Sequence, residues 1–163
     1  MVTRVHPNYI LGEKLPNIHS IEDVNDAFWD KRFEQINNFE KHLAENGTVI
    51  FKFFMNLSKD EQKRRLVRRL DLKHKNWKFS AGDLKERKLW DKYMECYEDA
   101  INRTSKAHAP WFNIPADNKP VARLTVATIL YNTLKAYEDI KEPELDAKTK
   151  ANIEVYRQEL NNE

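Results

Sequence analysis

The sequence predicts an α/β layer protein built on a parallel sheet. Three observations carry that expectation. Residues 48–57 (TVIFKFFMNL) are apolar on both faces apart from Lys52 and Asn56, the pattern of a strand covered by helices on both sides. The run passes directly into Ser58-Lys59-Asp60-Glu61, an S-x-x-E pattern that opens a helix. Strand-like and helix-periodic segments then alternate along the chain, and in this class helical crossovers set such strands parallel.

Taken in order, Val2–His6 (VTRVH) reads as a short strand stopped by Pro7, and residues 8–19, with Gly12 and Pro16, read as a loop. Ser20 is placed to cap a helix from Ile21, with Glu22 and Asp23 favoured in its first turn by the helix dipole. Phe28, Trp29, Phe33, Ile36, Phe39 and Leu43 recur at helical spacing, and Asn46-Gly47 suits a left-handed stop. The strand at 48–57 and the basic helix after Ser58 follow. Ser80-x-x-Asp83 opens a further helix carrying Leu84, Trp90, Tyr93, Tyr97 and Ile101, with Cys96 among its packed aromatics. Residues 104–109 form a loop, 110–114 (PWFNI) a second internal strand, and Asp117 is placed to cap a helix running to about Tyr137. Pro143 breaks the chain before a polar helix over 145–161. The order β–α–β–α–α–β–α–α gives three strands, few for 163 residues.

Composition narrows the class. Hydrophobic residues at 40% with four Trp suffice for a core, and no apolar run approaches the roughly 18–20 residues of a membrane span. The single Cys96 excludes an internal disulfide and fits a reducing cytosol, so a cytoplasmic location is expected. The five His are scattered without zinc-site spacing, and no metal site is expected among these residues. Positive charge is concentrated: Lys63–Lys78 (KRRLVRRLDLKHKNWK) holds eight Lys/Arg against one acid, while the whole chain is only +2. On a helix, Arg64/Arg68 and Arg65/Arg69 are like-charged neighbours whose repulsion an anionic ligand would relieve. The run is either a solvated basic face or a phosphate or nucleic-acid site.

Five segments in order carry a resemblance: Arg4-Val5-His6-Pro7; WDKRFEQINNFEKHL; KFFMNLSKDEQKRRLVRRL (52–70); WKFSAGDLKERKLWDKYMECYEDA (77–100); and TSKAHAPWFNIPADNKPVAR (104–123). Together they resemble the polyphosphate kinase 2 family over about residues 2–138. The resemblance implies a P-loop-kinase-like, thymidylate-kinase-like parallel sheet with helices. A helical lid would span about residues 58–105, and 139–163 would be a polar C-terminal helix or tail. It implies Mg²⁺-dependent phosphoryl transfer between inorganic polyphosphate and nucleotides (ADP/ATP, or AMP/GDP-type), cytoplasmic and in a homo-oligomer. The Walker A loop and metal acids lie N-terminal to R-V-H-P in the family. With glycine only at 12, 47 and 82, no G-x-x-x-x-G-K-[ST] cradle exists here. The expectation is therefore the C-terminal half of the kinase domain, with Mg²⁺ ligands outside these residues and no convincing catalytic residue. It would be inactive alone, or half of a split kinase needing a partner chain.

By resemblance, Arg65 and Arg69 fall on the family's S-K-x-E-Q-x-x-R-x-x-x-R pattern and are the first phosphate ligands to expect. Lys52 matches K-F-F, and either reaches a phosphate or pairs with a carboxylate. Lys78 and Arg87, with Asp83, match W-K-F-S…D…R. Asp117, Lys119 and Arg123 match P-A-D-x-K…R and are nucleotide-side candidates, Asp117 alternatively a plain helix cap. The alternative reading is a non-catalytic polyanion or nucleic-acid binding module, which calls for exposed aromatics beside the basic residues.

Overall fold

The computed structural model describes residues 2–138 and 140–162. The chain divides into two compact units, Met1–Val126 and Ala127–Glu163. The boundary expected at 138/139 falls at Asp139, outside the described residues. The first unit is an α/β arrangement around one two-stranded parallel sheet. Strand β1 (Lys52–Asn56) pairs with β2 (Trp111–Pro115), Phe53 opposite Phe112 and Asn56 opposite Pro115.

Residues Val2–Val5 are helical (α1), not a strand, which reduces the expected three strands to two among the described residues. Two valines three apart suit a helix as well as a strand, and tertiary contacts decide the ambiguity. Val5 is buried, its carbonyl accepts from Lys92 Nζ at 3.0 Å, and the Arg4 guanidinium pairs with Asp99. A short helix α2 (Asn8–Gly12) follows. Ser20 does not cap a helix. Its N–H and hydroxyl donate to Asp23, which also takes the His19 N–H, so the acid closes a local turn. Helix α3 (Asp26–Glu45) starts later, capped by Asn25, whose side chain accepts from Phe28 N–H at 3.2 Å. Gly47 beyond its end takes the left-handed φ of 86°.

The expected strand shrinks to Lys52–Asn56, with side chains used on both faces. Phe53 lies 5.6 Å from Phe112 and stacks on Phe51, while Phe54 lies 4.9 Å from Tyr97. Helix α4 (Lys59–Asp71) leads through a 3₁₀ segment (Lys73–Lys78) to α5 (Ala81–Arg87), capped by Ser80. The single helix expected after Ser80 is interrupted at Lys88–Leu89, and α6 runs from Trp90 to Thr104. The break separates two jobs. Arg87 on α5 bonds to α4, while α6 lays Cys96, Ala100 and Thr104 into the core at helical spacing, against α1 and α3.

Helix α7 covers Lys119–Lys135. Asn118, not Asp117, caps it: its side chain accepts from Val121 N–H at 3.3 Å. The expected polar helix at 145–161 is two, α8 (Ala147–Ala151), capped by Asp146, and α9 (Ile153–Asn161). No helix is long and apolar enough to cross a membrane among the described residues.

Candidate functional site: an arginine-lined cleft beside the strand ends

The two parallel strands end side by side, and each passes into a helix. The crevice outside the carboxyl ends of such strands is where open α/β sheets bind ligands. Ser58 caps α4 as expected, its hydroxyl accepting from Glu61 N–H at 3.1 Å. The reciprocal half of the capping box is absent. Ser58 N–H donates instead to Asp117 Oδ1 at 2.7 Å, tying the two strand-to-helix turns together. The cap position that Asp117 leaves is what Asn118 fills.

Glu61 is thereby free to act elsewhere. Its carboxylate accepts from Arg64 Nη2 at 2.6 Å and Arg65 Nε at 2.7 Å. These guanidiniums, Arg64 first, hold it down at about 2, far below its ordinary 4.5. The like-charge repulsion expected along α4 is therefore relieved inside the chain, by Glu61 and by Asp83, whose carboxylate lies 3.3 Å from Arg69 Nη1. Arg65 Nη2 also reaches across to the Ala116 carbonyl at 2.7 Å and that of Asp117 at 3.2 Å. Arg87 Nη1 donates to the Lys59 carbonyl at 2.7 Å and Gln62 Oε1 at 2.8 Å.

Three of the predicted cations meet. Arg65, Arg69 and Arg87 line one cavity of about 690 Å³, with Phe54, Tyr97 and Trp111 among its apolar walls. Lys52 is placed elsewhere, its side chain only 11% exposed. It donates to Glu40 Oε2 and to the Thr104 carbonyl, both at 2.6 Å, and lies 5.4 Å from the Trp111 ring centre. Of its two sequence readings, the carboxylate pair is the one present, and it fixes β1 to α3 and to the end of α6. Lys78 is exposed and sits 4.9 Å over the Trp77 ring, outside the cavity lining. Lys119 and Arg123 are exposed on the first turns of α7. Lys75, partly buried and facing Arg68, Lys119 and Lys78, is held below its ordinary value, so one positive field joins the 3₁₀ segment to the start of α7.

Sequence reasoning missed two groups. The Glu61–Arg64/Arg65 clamp was readable from i,i+3 and i,i+4 spacing. The second, Glu86 with His6 Nε2 at 2.9 Å and Tyr93 hydroxyl at 2.7 Å, joins residues far apart in the chain and has no local signal. Burial first, then the Glu86 bond, pushes the Tyr93 phenol up to about 12. Among the described residues no three His, Cys, Asp or Glu converge as a metal site, and the two cavity carboxylates are already engaged by Arg69, His6 and Tyr93.

Fold and cavity thus define an α/β domain with three guanidiniums clustered in a cavity beside the ends of two parallel strands. Residues 17–142 match the family model for polyphosphate kinase 2 (PPK2), and the chain belongs to that family. It is 42% identical over 160 residues to an ADP-polyphosphate phosphotransferase of Rhodopseudomonas palustris, covering 98% of this chain and 54% of that protein. It is 45% identical over 132 residues to an AMP/ADP-polyphosphate phosphotransferase of Meiothermus ruber, covering 81% and 48%. The crystal structure of polyphosphate kinase 2 from Arthrobacter aurescens superposes with a TM-score of 0.80 at 37% identity, over 97% of this chain and 50% of that one. The chain spans about half the length of these relatives.

Proposed function

We propose that this chain supplies the arginine-bearing part of a polyphosphate:nucleotide phosphotransferase with a P-loop-kinase-like fold. The observation that carries the reading is the convergence of Arg65, Arg69 and Arg87 on one cavity. Its substrates would be inorganic polyphosphate and a nucleoside mono- or diphosphate, as in the names of its relatives. Phosphoryl transfer asks chiefly for positioning and for neutralisation of charge on phosphate oxygens. Arg69 and Arg87 hold only polar partners that a phosphate oxygen can replace. Arg65, fixed at Nε by Glu61, presents Nη2 where Ala116 and Asp117 now accept it. Lys119 and Arg123, at the exit of β2, form the nucleotide side. Mg²⁺, where the reaction uses it, would take ligands from phosphate oxygens and from residues other than these. Without a Walker A segment, residues 1–163 alone do not catalyse transfer.

The test is polyphosphate binding by calorimetry across a salt series. Arg65→Gln/Arg69→Gln weakens binding strongly, and Arg64→Gln/Arg68→Gln, with equal charge loss, weakens it less. Equal losses would mean a diffuse basic surface and would overturn the cleft assignment. A second reading, a single-stranded nucleic-acid binder, has one observation in its favour: Trp77 is 78% exposed beside Lys78. Tight binding of oligonucleotide, lost in Trp77→Ala while polyphosphate binding persists, would favour it.

A further inference from the structure

Helix α5 is held without a hydrophobic anchor. None of its side chains is buried, although an apolar face is what places most helices. Its position therefore rests on polar contacts, and these run in two directions. Toward α4, Asp83 lies 3.3 Å from Arg69 Nη1, and Arg87 Nη1 donates to the Lys59 carbonyl at 2.7 Å and to Gln62 Oε1 at 2.8 Å. Away from α4, Glu86 Oε2 accepts from His6 Nε2 at 2.9 Å and from the Tyr93 hydroxyl at 2.7 Å. Among the described residues, Glu86 is the one side chain of α5 whose polar contacts reach beyond α4.

Both donors are themselves anchored. The His6 ring meets Tyr9 and Tyr93 edge-on, with centroids 5.8 and 6.5 Å away. The chain just before His6 is tied to α6 by the Arg4–Asp99 pair and by Lys92 Nζ on the Val5 carbonyl. Tyr93 lies in the first turn of α6, so its bond to Glu86 spans the break at Lys88–Leu89. Ends of helices are where a chain pivots, and a bond across such a break fixes the angle. Glu86 lines the same cavity as Arg65, Arg69 and Arg87. It is held below its ordinary value, first by the His6 contact and then by Tyr93, so it stays ionised in their grip. When phosphate oxygens take Arg69 and Arg87, Asp83, Gln62 and the Lys59 carbonyl are released, and the ties from α5 to α4 go with them.

We propose that Glu86 is a positioning residue: clasped by His6 and Tyr93, it holds α5 to α6 and keeps Arg87, its neighbour in the chain, at the cavity wall while a phosphate chain is bound. It acts through Arg87 and touches no substrate. The ligand in this inference rests on the function proposed above, whereas the clasp rests on geometry alone.

Glu86→Gln is a poor probe, because it also removes a negative charge from an anion-binding wall. Tyr93→Phe breaks the clasp with charge and ring unchanged, and His6→Phe removes the other donor while keeping a ring against Tyr9. Circular dichroism melts check that both remain folded. In the chain without ligand, amide exchange by NMR at Lys85, Glu86 and Arg87 should be about two- to fivefold faster in either variant, the range an exposed charged contact supplies. Cys96 and Ala100, in the core, should keep their rates. Calorimetry with inorganic polyphosphate gives the second readout. Tyr93→Phe should weaken binding about two- to fivefold in the otherwise unaltered chain and leave it unchanged on Arg87→Gln. On Arg65→Gln, a residue α5 does not carry, the two losses should add. A merely structural contact gives the same loss in every background. Unchanged exchange in α5 in both variants overturns the proposal. So does a Tyr93→Phe loss that is equal with and without Arg87, or no loss where Arg87→Gln itself weakens binding. If Arg87→Gln leaves polyphosphate binding intact, the proposed function fails, and faster exchange in α5 still upholds Glu86 as the group that places that helix.

Discussion

Lys52 separates a structural from a ligand-binding role most sharply. Its ammonium and the Glu40 carboxylate are 11% and 14% exposed and 2.6 Å apart, and the ammonium also holds the Thr104 carbonyl. Lys52→Met removes the cation and strands a largely buried carboxylate, which costs about 3–5 kcal/mol. For a protein of this size that lowers the melting temperature by about 6–20 °C. Replacing both partners, Lys52→Met with Glu40→Leu, removes the stranded charge. It leaves the Thr104 carbonyl as the main loss, about 1–3 kcal/mol. The double variant should therefore be more stable than Lys52→Met alone, a non-additivity that a double-mutant cycle in urea, followed by Trp fluorescence, reads directly. Polyphosphate affinity, measured where the variants remain folded, should change little. Single losses below about 1 kcal/mol that simply add would mean a solvated pair. With a large drop in polyphosphate affinity, they would refute the structural assignment and return Lys52 to the ligand.

Two further outcomes follow from shifted carboxyl and phenol groups. Glu61 is depressed from 4.5 to about 2 in the folded chain, so its contribution is complete above pH 4.5 and is lost as pH falls through about 2. Acid unfolding followed by circular dichroism should show wild type and Glu61→Gln diverging above pH 4.5 and converging near pH 2; a constant gap would refute the clamp. Tyr93 is raised from 10.0 to about 12, so the stability it confers is full below pH 10 and fades as pH rises toward 12. Tyrosinate absorbance should show a late-titrating phenol that Glu86→Gln brings earlier; a late phase unchanged in Glu86→Gln, or no late phase at all, would count against the Glu86 contact.

Local chemistry sufficed for much of this protein. The Ser58 and Ser80 caps, the stop at Gly47, the two internal strands and the concentration of charge on α4 all arise within a few residues of chain, where capping and periodicity act. The ordered motifs pointed to the family and to five cations, Lys52, Arg65, Arg69, Lys78 and Arg87, of which Arg65, Arg69 and Arg87 line one cavity. Elsewhere the outcome depended on partners distant in sequence. Val2–Val5 is helical because Arg4 and Val5 engage α6. Asp117 gives up the cap of α7 because the Ser58 N–H lies beside it, and Lys52 turns inward because Glu40 and Thr104 surround it. The helix after Ser80 breaks because Arg87 and the buried face of α6 bind different neighbours. A sequence states which groups can bond; where several partners are chemically equivalent, only the packed chain decides which is within reach.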